Sequence, residues 1–169
     1  TVTGVQTCAL PIYPDSGFYL YNHDELNSLL KKYEATAQKI WLIGVSFALL
    51  DFALTNPPAP KHLHVIETGG MKGRRREMIR EELHATIRET WPLKRIDSEY
   101  GMTELLSQAW TATNGRFYCP PWMRVHIRAS DNPLEYVPSE KTGGINVIDL
   151  ANVDSCAFIE TSDLGKAYL

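Results

Sequence analysis

The chain has 169 residues, 44% of them hydrophobic and 22% charged, with a formal net charge of −3. That length and composition suit one globular domain with a sizeable core, and the slight acidity argues against a nucleic-acid binder, whose phosphate contacts need a basic face. The longest apolar run, Ile40 to Leu54, is interrupted by Gly44, Ser46 and Asp51 and falls short of the roughly 20 residues a membrane helix requires; setting Cys8 aside, the two remaining cysteines give no disulfide framework and fit a reducing cytoplasm.

In chain order, Val2-Thr3-Gly4-Val5-Gln6-Thr7-Cys8-Ala9-Leu10-Pro11-Ile12 resembles the in-frame translation of a short-read sequencing adapter. Residues 1–12 are therefore set aside as an artefact; the competing readings, a genuine strand or a truncated signal peptide, find neither a basic n-region nor an initiator methionine. The reading frame is then expected to begin inside a gene. Lys166–Leu169 carries no turn or capping signal, so the chain is expected to be cut at both ends. Tyr13–Tyr21, with Pro14 and Gly17, reads as a loop entering a short strand. Asn22 with Glu25 three residues later resembles a capping box, and Leu26, Leu29, Leu30, Tyr33 and Ala37 fall on one core-facing helical stripe. Lys39–Val45 predicts a buried strand, and residues 46–54 a helix capped by Ser46. Thr55–Pro60 holds three prolines that enforce a loop.

His64–Glu67 reads as a short buried strand ending at Gly69-Gly70. Past Gly73 a long helix is predicted, because Ile79, Leu83, Ile87 and Trp91 recur every four residues. Arg95–Glu99 follows the helix breaker Pro92 and reads as a strand, after which Thr103 is placed to cap a helix through Leu105, Leu106 and Gln108. This alternation predicts an α/β fold, a mostly parallel sheet with covering helices. From Arg116 the period changes to two. Phe117–Ala129 and Ile145–Leu150 read as strands around a turn-rich connection, which predicts a C-terminal antiparallel β subdomain. The expected organisation is an α/β part, 13–115, and a β-rich part, 116–169.

Tyr100-Gly101-Met102-Thr103-Glu104 is the stretch richest in chemistry, with a ring, a glycine, a hydroxyl and a carboxylate at one strand end. A phosphate at a helix start there would meet free backbone N–H groups and the positive end of the helix dipole. Thr103 can add a hydroxyl donor, Glu104 a hard oxygen ligand for Mg²⁺, and Tyr100 a face for a flat base. Gly69-Gly70 allows close approach of a ligand to the backbone, although a plain strand-to-helix turn accounts for the pair more simply. The run Lys72-Gly73-Arg74-Arg75-Arg76 would welcome a phosphate, although a solvated basic turn beside Glu77, Glu81 and Glu82 accounts for it more simply. Asp163 in Thr161–Gly165 sits in a turn-forming setting that also suits an Asx-turn. Cys119 and Cys156 read as buried small hydrophobes, and a Cys119/His126 metal pair lacks a third ligand. Phe47, Leu50, Trp110 and Trp122 fit either a pocket lining or a core.

Tyr-Gly-x-Thr-Glu resembles the nucleotide motif of the adenylate-forming superfamily, the acyl-CoA synthetases, luciferases and their relatives. The resemblance implies that Gly69, Gly70 and Met71 line an adenine pocket, that Tyr100, Gly101 and Met102 adjoin the nucleotide with the Tyr100 ring against adenine, that Thr103 meets the α-phosphate and that Glu104 holds Mg²⁺. It further implies that Asp163, in Thr161-Ser162-Asp163 where the family has Thr-Gly-Asp, takes the ribose hydroxyls. Ser16–Asn22, Glu67–Arg75, Ser98–Gln108 and Cys119–Met123 look most like the LuxE-type acyl-protein synthetases, neighbours of the phenylacetate-CoA ligases. Such enzymes use ATP and Mg²⁺ to turn a carboxylic acid, here a long-chain fatty acid, into an acyl-adenylate. They then pass the acyl group to a protein thiol, in a system that ends at a reductase partner. The phosphate loop and the mobile C-terminal domain with its lysine have no counterpart here, so the chain is expected to be a fragment of the large N-terminal domain, inactive alone. The alternatives are an acyl- or aryl-CoA ligase and a non-catalytic nucleotide-binding scaffold.

Overall fold

The computed structural model describes residues 13–71, 73, 76, 78–111 and 114–168. The adapter-like Val2–Ile12 and, within the basic run, Lys72, Arg74 and Arg75 lie outside them. The fold is α/β, with a five-stranded sheet in the order β1-β2-β3-β4-β5, antiparallel at β3-β4 and β4-β5, and a separate antiparallel sheet β6-β7-β8. By contacts the chain divides into two compact units, one holding residues up to Val65 with Met71–Arg95, the other Ile66–Gly70 with Ile96–Leu169.

In the first unit, helix α1 (His23–Tyr33) starts where Asn22 Oδ1 accepts the Glu25 N–H at 3.4 Å while the Asn22 amide donates to Glu25 Oε2 at 2.5 Å. Asn22 is thus the side-chain N-cap, but not half of a full capping box, because its own N–H donates to the Tyr19 carbonyl at 2.6 Å and Glu25 meets the Asn22 side chain instead. Leu30 is its buried residue, and Ala37 lies exposed beyond the helix end. No strand precedes it in residues 13–21. That loop is instead tied down by Asp15, whose Oδ2 accepts from Lys32 and Tyr33, each at 2.5 Å. Strand β1 (Ile40–Val45) is not buried as the apolar run suggested. Alternate residues face opposite sides, and Trp41 and Ile43 are 65% and 56% exposed.

Helix α2 (Ser46–Ala53) follows without a loop. Its cap is the extended Val45, with no side-chain bond, and Ser46 is a buried first-turn residue rather than the cap. Strand β2 (Leu63–Thr68) comes next, then α3 (Arg80–Thr90), shorter than the sequence suggested because Ile79 is extended and 69% exposed. Glu81 and Glu82 in its first turn favour a start there, opposite the helix dipole. The rest of the four-residue stripe holds: Leu83, Ile87 and Trp91 are buried, and α2 packs on α3. Trp91 is fully buried, stands edge-on to Phe52 at 5.4 Å and donates its indole N–H to the Pro58 carbonyl at 3.1 Å.

In the second unit, β3 (Ile96–Tyr100), β4 (Ala109–Thr111) and β5 (Phe117–Tyr118) pair antiparallel, with Tyr100 opposite Ala109 and Trp110 opposite Tyr118. The helix expected after Thr103 does not form. Met102 and Leu105 close a turn, Leu105 N–H to Met102 carbonyl at 3.1 Å, and only three residues separate Leu105 from β4. Those backbone N–H groups that would propagate a helix are taken by Asp149, a tertiary partner that local propensity does not contain.

The expected strand Phe117–Ala129 is broken at Pro120-Pro121, which have no N–H for a ladder, into β5 and β6 (Met123–Arg128). Sheet β6-β7-β8 is a meander with β7 at Gly143–Asp149 and β8 at Phe158–Gly165, Met123 facing Asp149 and Val147 facing Ile159. Thr161–Gly165, read as a turn, is therefore strand. The core of this unit is Leu105, Met123 and Val147, with Tyr100, Met102, Val125, Ile145 and Ile159 packed around it. Among the described residues no helix is long and apolar enough to cross a membrane.

Candidate functional site

Adjacent strands β2 and β3 end at the two glycine-bearing segments of interest, Gly69-Gly70 and Gly101. Gly69 adopts φ +69°, a left-handed turn that residues with a Cβ resist. At Gly101 an added Cβ would sit 3.1 Å from Gln108 Cγ and 3.3 Å from Glu99 Oε1, so glycine keeps the backbone close to its neighbours. Met71 belongs to the first unit and is 1% exposed, so its side chain serves packing.

Tyr100, the last residue of β3, stands half-buried and edge-on to Phe117, 6.1 Å between ring centres. Its hydroxyl donates to Asp163 Oδ2 at 2.7 Å, across 63 residues of chain. Desolvation of the ring and then the bond to Asp163 push the phenol's pKa well up, so it keeps its proton and stays a donor. Asp163 is exposed on β8, and its N–H donates to Thr161 Oγ1 at 3.2 Å while that hydroxyl donates to the Ile145 carbonyl at 3.0 Å. Thus the structure brings together Tyr100 and Asp163. Met102 packs half-buried on the core, whereas Thr103 and Glu104 lie exposed in the turn, side chains toward solvent. With no helix behind them, backbone dipole alignment does not serve this turn, and any anion there would rely on Thr103 and loop N–H groups.

Two residues that no sequence signal marked hold this turn in place. Asp149, fully buried, accepts from the N–H groups of Leu106 and Ser107 at 2.9 Å each, from the Ser107 hydroxyl at 2.7 Å and from the Ala151 N–H at 3.1 Å. Burial pushes its pKa up, but the bonds from Ser107, Ala151 and Leu106 outweigh it and hold the carboxyl below its ordinary value. Asn152 donates to the Glu104 carbonyl at 2.7 Å and to that of Cys156 at 2.9 Å. An Asp and an Asn at a strand end look like ordinary turn formers, and only the pairing register reveals their partners.

Beside the turn lies an open groove of about 520 Å³, lined among others by Leu106, Trp110, Tyr118, Cys119 and Trp122. Trp122 donates its indole N–H to Ser107 Oγ at 2.9 Å, so the groove wall is bolted to the Asp149 network. Trp110 and Trp122 thus line a surface, whereas Leu50 is core. The cysteines are not the buried residues expected: Cys119 and Cys156 are both exposed, because Cys119 follows an edge strand and Cys156 sits in a turn before β8. Partial desolvation still pushes the Cys119 thiol pKa up, away from the thiolate. No group of three or more potential metal ligands gathers among the described residues, and His126 lies against Tyr136 instead of joining Cys119.

No protein-family model matches the sequence, and no curated protein matches it. Solved structures do. The ATP-bound MatB from Rhodopseudomonas palustris aligns over 86% of this chain and 31% of its own, with a TM-score of 0.59 at 16% identity. This chain shares its fold. The amide bond synthetase McbA from Marinactinospora thermotolerans aligns over 85% of this chain and 32% of its own, TM-score 0.56, 16% identity. A benzoate CoA ligase from Burkholderia xenovorans LB400 gives 84% and 31%, TM-score 0.54, 14% identity. The chain spans about a third of the length of each of these proteins.

Proposed function

We propose that this chain carries the nucleotide side of an ATP-dependent, adenylate-forming ligase of the acyl-protein synthetase type. The observation that carries the reading is the hydrogen bond between Tyr100 and Asp163, which joins the two motifs assigned to base and ribose. The fold shared with an ATP-bound protein and a CoA ligase supports it. In this reading the Tyr100 ring lies against adenine, with Gly69-Gly70 and Gly101 keeping the backbone out of the way. Asp163 accepts from the ribose hydroxyls and Thr103 donates to the α-phosphate.

A carboxylate is a poor electrophile until one oxygen becomes a good leaving group, and attack on the α-phosphate with loss of pyrophosphate achieves this. Glu104 fits Mg²⁺, because that ion is usually held by one or two carboxylates together with substrate phosphates and waters, and Glu104 is an exposed carboxylate with no metal-ligand cluster around it among the described residues. When bound, the ion would offset charge on the phosphate oxygens. Asn152 holds the Glu104 backbone so that its side chain is aimed from a fixed turn. The acid is assigned as a long-chain fatty acid, whose hydrocarbon the aromatic groove at Trp110 and Trp122 suits, and the acceptor as a protein thiol beside a reductase, in the cytoplasm.

The test is ATP–pyrophosphate exchange driven by fatty acids, with labelled acyl groups followed onto protein or onto coenzyme A, in the chain extended to the length of its fold relatives. Fatty-acid-dependent exchange with label on protein supports the reading. Label on coenzyme A would make it a CoA ligase, and ATP binding without exchange a scaffold.

A further inference from the structure

We propose that Tyr100, besides offering its ring, is a positioning residue for Asp163: its phenol fixes the carboxylate so that the site selects nucleotides carrying both ribose hydroxyls. The inference rests on the nucleotide reading above. An exposed aspartate on a strand ordinarily samples several rotamers and pays entropy to be held in one. Here one oxygen is pinned. Tyr100 donates to Oδ2 at 2.7 Å, while the backbone at Asp163 is fixed through Thr161 to Ile145. The donor itself is rigid, because Tyr100 packs on the Leu105–Met123–Val147 core and against Phe117.

A carboxylate has about four acceptor sites. With one used by the phenol, Oδ1 and the outer face of Oδ2 remain for a pair of vicinal hydroxyls. The phenol's raised pKa keeps it a donor throughout the neutral range. Removing it frees the carboxylate to rotate, which weakens a two-point grip on a diol more than a single contact. The effect therefore falls on selectivity between sugars.

The experiment measures binding of ATP, 2′-deoxy-ATP and GTP by calorimetry in the chain extended to the length of its fold relatives, as wild type, Tyr100→Phe, Asp163→Asn and the double variant. Phenylalanine keeps the ring and the packing. The wild type should prefer ATP over 2′-deoxy-ATP by about tenfold or more, the worth of one hydrogen bond to a charged group. Tyr100→Phe should lose most of that preference while its preference for ATP over GTP stays. The double variant should discriminate no worse than Asp163→Asn, since the two act as one unit. A purely structural role for Tyr100 would weaken all three nucleotides alike, and an unchanged sugar preference would overturn the inference alone. Absence of ATP binding by the wild type would refute the nucleotide reading, and the inference with it. A readout without ligand is the Tyr100 phenol titration by carbon NMR, whose pKa should fall in Asp163→Asn. A phenol insensitive to that change contradicts the clamp.

Discussion

Replacing Asp149 by asparagine gives a sharp measure of how tertiary contacts hold the turn after Tyr100-Gly101-Met102-Thr103-Glu104. In the native protein two oxygens of Asp149 accept four donors, the N–H groups of Leu106, Ser107 and Ala151 and the Ser107 hydroxyl, with no solvent exposure. The asparagine carbonyl can keep the bonds to Leu106 and Ser107 N–H. Its amide then faces the Ser107 hydroxyl, which can rotate to accept, and the Ala151 N–H, which cannot. The N–H of Ala151, an exposed residue, loses its acceptor at modest cost because water reaches it, and the remaining bonds lose their charge assistance, so Asp149→Asn should cost about 2–3 kcal/mol. Urea denaturation at pH 7 followed by fluorescence checks this, since the indole N–H of Trp122 reports on Ser107 directly. With a urea slope of roughly 1–3 kcal/mol per molar, the midpoint should fall by about 1–2 M.

The folded carboxyl titrates below its unfolded value. Its contribution is therefore complete above the unfolded pKa of about 3.9 and lost as pH falls through the lower folded value. The gap between wild type and Asp149→Asn should thus be constant from neutral pH down to about 4 and shrink only below it. A variant within about 0.5 kcal/mol of wild type at pH 7, or a gap that closes near pH 6, would refute this account of the turn.

Glu104→Gln removes an exposed charge, so urea stability should stay within about 0.5 kcal/mol, while acyl-adenylate formation in the extended enzyme falls roughly a hundredfold, the kinetic equivalent of about 3 kcal/mol; wild-type exchange in that variant would remove the carboxylate from the mechanism. Trp91→Ala empties a fully buried site against Phe52 and should cost about 3–5 kcal/mol. Hydrogen exchange should show the loss in α2 and α3, and an equal loss of protection in β6–β8 would mean that the two units open together.

Local pattern alone located most of the elements. The Asn22–Glu25 cap, the stripe Leu83–Ile87–Trp91, the proline loop after Thr55 and the period-two segments from Arg116 all rest on interactions within a few residues. The Tyr100–Glu104 stretch stood out by its residue types, whereas Asp163 was singled out only through the family resemblance, since by itself it reads equally as an Asx-turn. What tertiary structure decided involves partners far apart in the chain. Asp149 takes the N–H groups that a helix after Thr103 would have used, some 43 residues away. The register of β7 against β8 converts Thr161–Gly165 from turn to strand and carries Asp163 to the Tyr100 hydroxyl. Exposure of Trp41, Cys119 and Trp122 likewise depends on which sheet faces are covered. Hydrophobic periodicity states that a side chain prefers burial; only packing determines whether a neighbour arrives to bury it.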